Sequence, residues 1–362
     1  MESLEIIKGK VSPGFWKDKR VFLTGHTGFK GSWLSLWLQN MGAVLKGYSL
    51  DINTNPALFK MADIASDMES EKGDIRNLEK LTKSMVSFNP DILIHMAAQP
   101  LVRLSYKEPV DTYATNVMGT VNILESARKC SSLKSIVCIT TDKCYENNET
   151  HRGYKENDSM GGYDPYSSSK GCSELVISAY RRSFFSSADS ASLASARAGN
   201  VIGGGDWADD RLIPDILKAF EKSENVLIRN PLAIRPWQHV LEPLSGYLVL
   251  AQELFLHGDE FAEAWNFGPS DDDCKSVSYI LDRMVDHWGN NVSWSVDDDS
   301  NPHEAGILKL DCSKASKRLK WSPKWNLEKA LNSIVNWHQV YIDKGDLKRE
   351  SLNQIQNYIK GE

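Results

Sequence analysis

Gly25, Gly28 and Gly31 stand three residues apart, between the apolar run Val21-Phe22-Leu23 and a stripe of Trp33, Leu34, Trp37, Leu38 and Met41 at helical spacing. A strand entering a helix through residues without β-carbons is the strongest constraint the chain places on its fold. The turn Thr24-Gly25-His26-Thr27-Gly28-Phe29-Lys30-Gly31 leaves backbone N–H groups open at a helix N-terminus, where a pyrophosphate can approach closely. The bland alternative is an ordinary glycine turn. Against it stands Asp51, which follows the apolar stretch 44–50 at the distance where an acid meets an adenosine ribose. A nucleotide cofactor is the first expectation.

Strand-like runs at 21–24, 43–50, 91–97, 135–141 and 194–201 alternate with helical patterns. That rhythm predicts an α/β chain with a Rossmann-type doubly wound parallel sheet as its cofactor domain over residues 1–200, with a return around 236–262. After Gly203 the rhythm breaks into glycine-, proline- and tryptophan-rich loops and separated helices near 277–288 and 327–341. Residues 201–362 are read mainly as a smaller α/β substrate domain closing over the carboxyl ends of the strands.

Composition removes other classes of function. No apolar run approaches the ~20 residues that span a membrane, and residues 1–18 carry acids and a proline where a signal peptide needs an apolar core. A cytoplasmic protein is the default. A net charge of −6 argues against broad nucleic-acid binding. The six cysteines form no Cys-x-x-Cys pair, so no metal is expected.

Three segments carry reactive side chains. Tyr166 and Lys170 lie four residues apart, a spacing that puts both on one helical face with the ammonium near the phenol hydroxyl. A nearby cation favours the phenolate, which can take a proton from a sugar hydroxyl. Thr141-Asp142-Lys143 ends an apolar strand. Its hydroxyl suits the reacting oxygen, and its acid and amine exceed what a simple oxidation requires; the bland reading of Asp142 and Lys143 is a solvated turn. The third segment runs through Asn200, Arg211, Arg229 and Arg235, where guanidinium groups suit a diphosphate bidentately and surface salt bridges are the alternative. Trp207 and Trp237 either lie against a base or sugar or, more in keeping with tryptophan, pack in the interior.

Together, the glycine turn, His95-Met96-Ala97-Ala98-Gln99-Pro100, Thr141-Asp142 and Tyr166-x-x-x-Lys170 make the chain resemble the extended short-chain dehydrogenase/reductases, in their nucleotide-sugar 4,6-dehydratase branch. Gln99-Pro-Leu-Val-Arg103, Asp142-Lys-Cys-Tyr145, Gly199-Asn-Val-Ile-Gly-Gly-Gly-Asp-Trp207 and Arg235-Pro-Trp-Gln-His-Val240 are similar to its CDP-linked members. The resemblance implies NAD as cofactor, bound by Gly25, Thr27, Gly28, Phe29, Lys30 and Gly31, with Asp51 on the adenosine ribose and disfavouring a 2′-phosphate. It puts Asp74 and Ile75 by the adenine, Ala97, Ala98 and Gln99 along the cofactor, and Tyr166 and Lys170 at the nicotinamide ribose. Arg103, Asn200, Arg211, Arg229, Arg235 and His303 fall where relatives hold the substrate.

The implied substrate is a nucleotide-diphosphate sugar, CDP-glucose favoured, losing water to give CDP-4-dehydro-6-deoxy-D-glucose with internally recycled NAD. The setting implied is deoxysugar synthesis for a surface polysaccharide such as the O-antigen. Catalysis falls to Thr141, Asp142, Lys143, Tyr166 and Lys170. Thymidine-linked relatives carry glutamate where this chain has Lys143. The lysine therefore either acts as the C5 base itself, once desolvated, or polarises a water or steadies the enolate while Asp142 handles protons. A 4-epimerase, a dehydratase of a dTDP-, GDP- or UDP-hexose, and a non-catalytic NAD-binding module remain as alternatives. A homodimer or dimer of dimers, paired through helices near 113–129 and 167–184, is implied as well.

Overall fold

The computed structural model of the chain describes residues 7–228, 230–289, 292–297 and 306–362. Its centre is a seven-stranded sheet in the spatial order Ala264–Phe267, Ser192–Ala198, Ser135–Ile139, Ile92–His95, Arg20–Thr24, Val44–Ser49, Glu69–Lys72, every pair parallel. Strand order reverses on either side of Arg20–Thr24, and in doubly wound sheets such a switch point opens a crevice at the carboxyl ends. The glycine turn lies there.

Side chains alternate across the sheet, as a pleated strand requires. Val21, Leu23, Ile92, Ile94 and Val137 face one apolar layer with helices Phe29–Asn40 and Leu241–His257. Phe22, Leu93, Ile136 and Cys138 face the other, with Leu81, Met85, Ile123, Leu124 and Ile177. A separate apolar cluster, with Ile213, Ile216, Phe220, Ile280, Met284, Leu331 and Ile334, holds together the lobe beyond the sheet.

The five expected strands form at their expected places, and helices Val277–Trp288 and Leu327–Ile342 match the expected patterns. Two strands of the seven-stranded sheet escaped the sequence reading. Glu69–Lys72 is polar because it is a solvent-facing edge; its Glu69 and Glu71 pair at 2.5 and 3.1 Å with the buried Lys46. Ala264–Phe267 completes the return to the sheet just beyond the expected 262. The helix Leu347–Lys360 crosses back to the helix Phe29–Asn40, where Tyr358 meets Trp37 edge-on at 5.7 Å.

Candidate active site

The turn after the first strand is shaped by backbone sterics. Gly25 has φ +75°, and a β-carbon there would stand 2.8 Å from the Ala97 nitrogen. At Gly31 a β-carbon would run into the Gly25 carbonyl, so helix and turn touch directly. Gly28 differs: its nearest obstacle is the Gly25 oxygen at 3.5 Å, which leaves room for a ligand group at the helix N-terminus, where no side chain caps the free N–H groups. Thr24 Oγ1 accepts from the Met96 and Ala97 amides at 3.1 Å, tying the turn to the end of the neighbouring strand.

Beyond the turn the placements are mixed. Thr27 Oγ1 meets Ser49 Oγ at 2.7 Å. Asp51 is exposed at the end of its strand and paired with Lys72. The Asp74 carboxylate is held by Arg76, Ile75 is buried, and the Gln99 amide is spent on Leu101 and Thr112, so Gln99 has no free side-chain amide to offer. Ala97 and Ala98 are half-buried beside the turn. This cradle, with its open N-terminus and its acid at the strand end, fits a dinucleotide.

The turn opens into a cleft of about 760 Å³ lined by Phe29, Lys30, Thr141, Asp142, Lys143, Tyr166, Asn200, Arg211, Arg235 and Arg103, among others. Two structural pieces deliver the reactive groups. Thr141 caps the short turn Asp142–Cys144 at the end of Ser135–Ile139, its Oγ1 accepting from the Lys143 amide at 3.3 Å. Asp164 caps the helix Pro165–Ser183 by accepting from the Ser167 amide at 2.9 Å, which sets the start of the helix carrying Tyr166 and Lys170.

Burial decides the proton affinities. It pushes the Tyr166 hydroxyl up to about 12, against the opposing pull of the Thr141 hydrogen bond and the Arg211 charge. Asp142 is 2% exposed and held above the ordinary carboxyl range by burial, although Lys143, Thr141 and Arg235 oppose it. Its Oδ1 accepts from Thr141 Oγ1 at 3.0 Å and its Oδ2 has no partner among the described residues.

Lys170 lies on the helix of Tyr166, as the spacing predicts. The Lys170 ammonium donates to the Ile139 carbonyl at 3.4 Å, since a buried ammonium takes the acceptor the strand end presents. Burial brings Lys170 down to about 8. Lys30 points into the same cleft instead of lying only on the glycine turn. Burial, with Lys170 and Arg211, brings it down to about 7, and its ammonium stands 5.8 Å over the Tyr247 ring.

The arginines divide. Arg211 donates to Asp206 at 2.9 Å and lies close enough to act on Tyr166; Arg235 is buried and donates to the Ile234 carbonyl at 3.0 Å. Arg103 bridges to Asp210 at 3.0 Å across the mouth. Arg229 and His303 lie outside the described residues. Trp237 lines the cleft while donating to the Lys275 carbonyl at 2.9 Å, whereas Trp207 packs against Trp337 and Tyr341 with ring centroids 5.6 and 5.4 Å away. For Trp207 interior packing is the answer.

Sequence reasoning missed the pairing acids Asp206 and Asp210, and also Tyr247, which arrives from the far helix Leu241–His257 and carries no local motif.

The family described as GDP-mannose 4,6 dehydratase matches residues 22–334. The chain belongs to this family. A 4,6-dehydratase family member named CDP-glucose 4,6-dehydratase, from Salmonella typhimurium, is 58% identical over 96% of this chain and 98% of its own length. A CDP-paratose 2-epimerase of Salmonella typhi is 23% identical over 88% of the chain and 98% of its own length. Among solved structures, dTDP-glucose 4,6-dehydratase from Bacillus anthracis in complex with NAD superposes with a TM-score of 0.75 at 21% identity, covering 91% of this chain and 99% of that one. UDP-glucose 4-epimerase from Thermotoga maritima does so with 0.76 at 18%, covering 89% and 99%. Dehydratases and epimerases of the GDP-mannose 4,6-dehydratase family's fold are equally good matches, so the fold alone does not choose between them.

Proposed function

We propose that the chain is a CDP-D-glucose 4,6-dehydratase, a lyase that removes water from CDP-D-glucose to give CDP-4-dehydro-6-deoxy-D-glucose. The observation that carries the reading is Asp142: a buried carboxyl with an unpartnered oxygen, opening into the same cleft as Tyr166. A 4-epimerase needs the tyrosine but has no use for an acid that holds its proton beside the sugar. The 58% identity to the Salmonella enzyme supports both the reaction and the cytidine nucleotide.

NAD, when bound, supplies an acceptor for the sugar C4 hydride and then its donor to C6. The protein's own groups handle protons. Tyr166, as the phenolate that burial opposes and Thr141 and Arg211 favour, takes the C4 hydroxyl proton. The C4 ketone acidifies the C5 hydrogen, and Lys143, lining the cleft beside Asp142, takes that proton and returns it to C5 as the hydride reaches C6. Asp142 protonates the C6 oxygen as it leaves as water. Lys170 and the glycine turn hold the cofactor, and Asn200, Arg211 and Arg235 hold the diphosphate. Asp51, its negative charge near the adenosine ribose, supports NAD over a 2′-phosphorylated cofactor.

We further propose a homodimer through the two helical segments expected for pairing, where Met118 and Leu175 are 52% and 61% exposed. The product's 6-deoxy-4-keto sugar suits deoxysugar synthesis in the cytoplasm. Among the described residues no helix is long and apolar enough to cross a membrane.

Purified protein incubated in turn with CDP-, dTDP-, GDP- and UDP-glucose tests the reading. A 4-keto product is expected from CDP-glucose above all. C4 inversion without water loss, or preference for another base, overturns it.

A further inference from the structure

Behind the reacting groups lies a buried ion pair that the chemistry above does not use. Glu174 stands one helical turn beyond Lys170 on the helix carrying Tyr166, and Arg197 lies on the strand Ser192–Ala198. Arg197 Nη2 meets Glu174 Oε2 at 2.8 Å, with the two side chains 3% and 4% exposed. Burial pushes the Glu174 carboxyl up, but Arg197 and two hydroxyl donors outweigh it and hold it below the usual range, so it accepts as a carboxylate.

The remaining contacts of the pair run to the reactive loop. The Thr140 hydroxyl donates to Glu174 Oε1, and Ser195 Oγ to Oε2 at 2.8 Å. Arg197 Nη1 donates to the Tyr145 hydroxyl at 2.7 Å and to the Glu156 carbonyl at 3.0 Å, and the Tyr145 hydroxyl donates to Asn266 Oδ1 at 2.7 Å. Thr140 comes immediately before Thr141-Asp142-Lys143-Cys144 and Tyr145 immediately after. One ion pair thus grips both ends of the loop that bears the acid, from the helix that bears the base.

We infer that Glu174 and Arg197 are positioning residues, which hold Asp142 and Lys143 in register with Tyr166 across the sugar. The inference rests on the proposed roles of those three groups. Burying two charges is costly in solvation, and apolar side chains of similar volume often pack as stably. What the charges provide and apolar groups lack is fixed direction for the hydrogen bonds on either side of the loop. A misplacement of about 1 Å costs on the order of a hundredfold in rate.

Three variants test this: Thr140→Val, Tyr145→Phe, and the double replacement Glu174→Met with Arg197→Met. Each is measured for thermal midpoint, KM for CDP-glucose and kcat, with wild type alongside. The single variants are expected to keep midpoint and KM close to wild type while kcat falls by about tenfold to a hundredfold; the double variant, if it folds, falls at least as far without a lower midpoint. Wild-type kcat in both single variants overturns the inference. So does a loss of kcat that follows only a loss of fold or a rise in KM, because a purely structural pair would behave that way. If the double variant does not fold, the single variants decide. Failure of the dehydratase reading itself shows separately, as a wild-type control that makes no 4-keto product.

Discussion

Withdrawal from water raises the proton affinity of a carboxyl group, and Asp142, proposed as the acid at the C6 oxygen, is buried. Asp142→Asn keeps the shape and removes the acid. Reduced-nicotinamide absorbance is expected to rise on adding substrate and to persist, while water loss drops by about 10²–10⁴-fold. The pH dependence has a definite sign. The acid form is the active one, so burial extends activity upward in pH, and dehydration declines as pH rises through the raised Asp142 value. Asp142→Asn should lack that limb, and wild-type dehydration by it excludes Asp142 as the acid. Tyr166→Phe leaves the ring and removes only the proton acceptor, so cofactor content should stay and 4-keto product disappear; more than about a tenth of wild-type turnover would rule out its role.

At the scale of elements, the helices Leu241–His257 and Leu347–Lys360 are joined through one carboxyl group. Glu242 accepts from the Tyr358 hydroxyl at 2.6 Å and from the Trp325 amide at 2.7 Å, and burial pushes it up to about 7 from an ordinary 4.5. An acid whose folded value is raised adds stability that is complete below about 4.5 and lost as pH rises through about 7. The span corresponds to about 3 kcal/mol as an order of magnitude. Glu242→Gln imitates the protonated form. The stability gap between wild type and this variant should therefore change with pH, wild type losing ground as pH rises from about 4.5 to about 7 and little beyond, in urea titrations at a series of pH values. A gap independent of pH would mean that folding leaves the proton affinity of Glu242 unchanged.

For the molecule as a whole, a cleft at the switch point puts the glycine turn and the arginines proposed for the diphosphate on one cavity. If the hydride returns within that cavity, substrate deuterated at C4 should yield product with deuterium in the C6 methyl group. Deuterium in the free nicotinamide pool would instead mark a net dehydrogenase. The proposed pairing of two copies predicts that Leu175→Asp, in the middle of an exposed apolar helix face, shifts the protein toward monomer in sedimentation. An unchanged sedimentation coefficient places the pairing elsewhere or nowhere.

What the sequence alone determined was local. The glycine turn, the apolar strands and the helix of Trp33 and Trp37 were legible because strand and helix periods and missing β-carbons act over neighbouring residues. The same holds for Tyr166 and Lys170 sharing a helix, and for Thr141 and Asp142 ending a strand. The tertiary structure decided what depends on distant partners. Lys170 turned to the Ile139 carbonyl and Lys30 into the cleft, because burial and nearby charges, not spacing, direct an ammonium. Trp207 found Trp337 and became core, and the polar run Glu69–Lys72 became an edge strand because Lys46 of the next strand neutralises it. The Glu174–Arg197 clamp joins a helix and a strand, and only folding brings its two ends to the same loop.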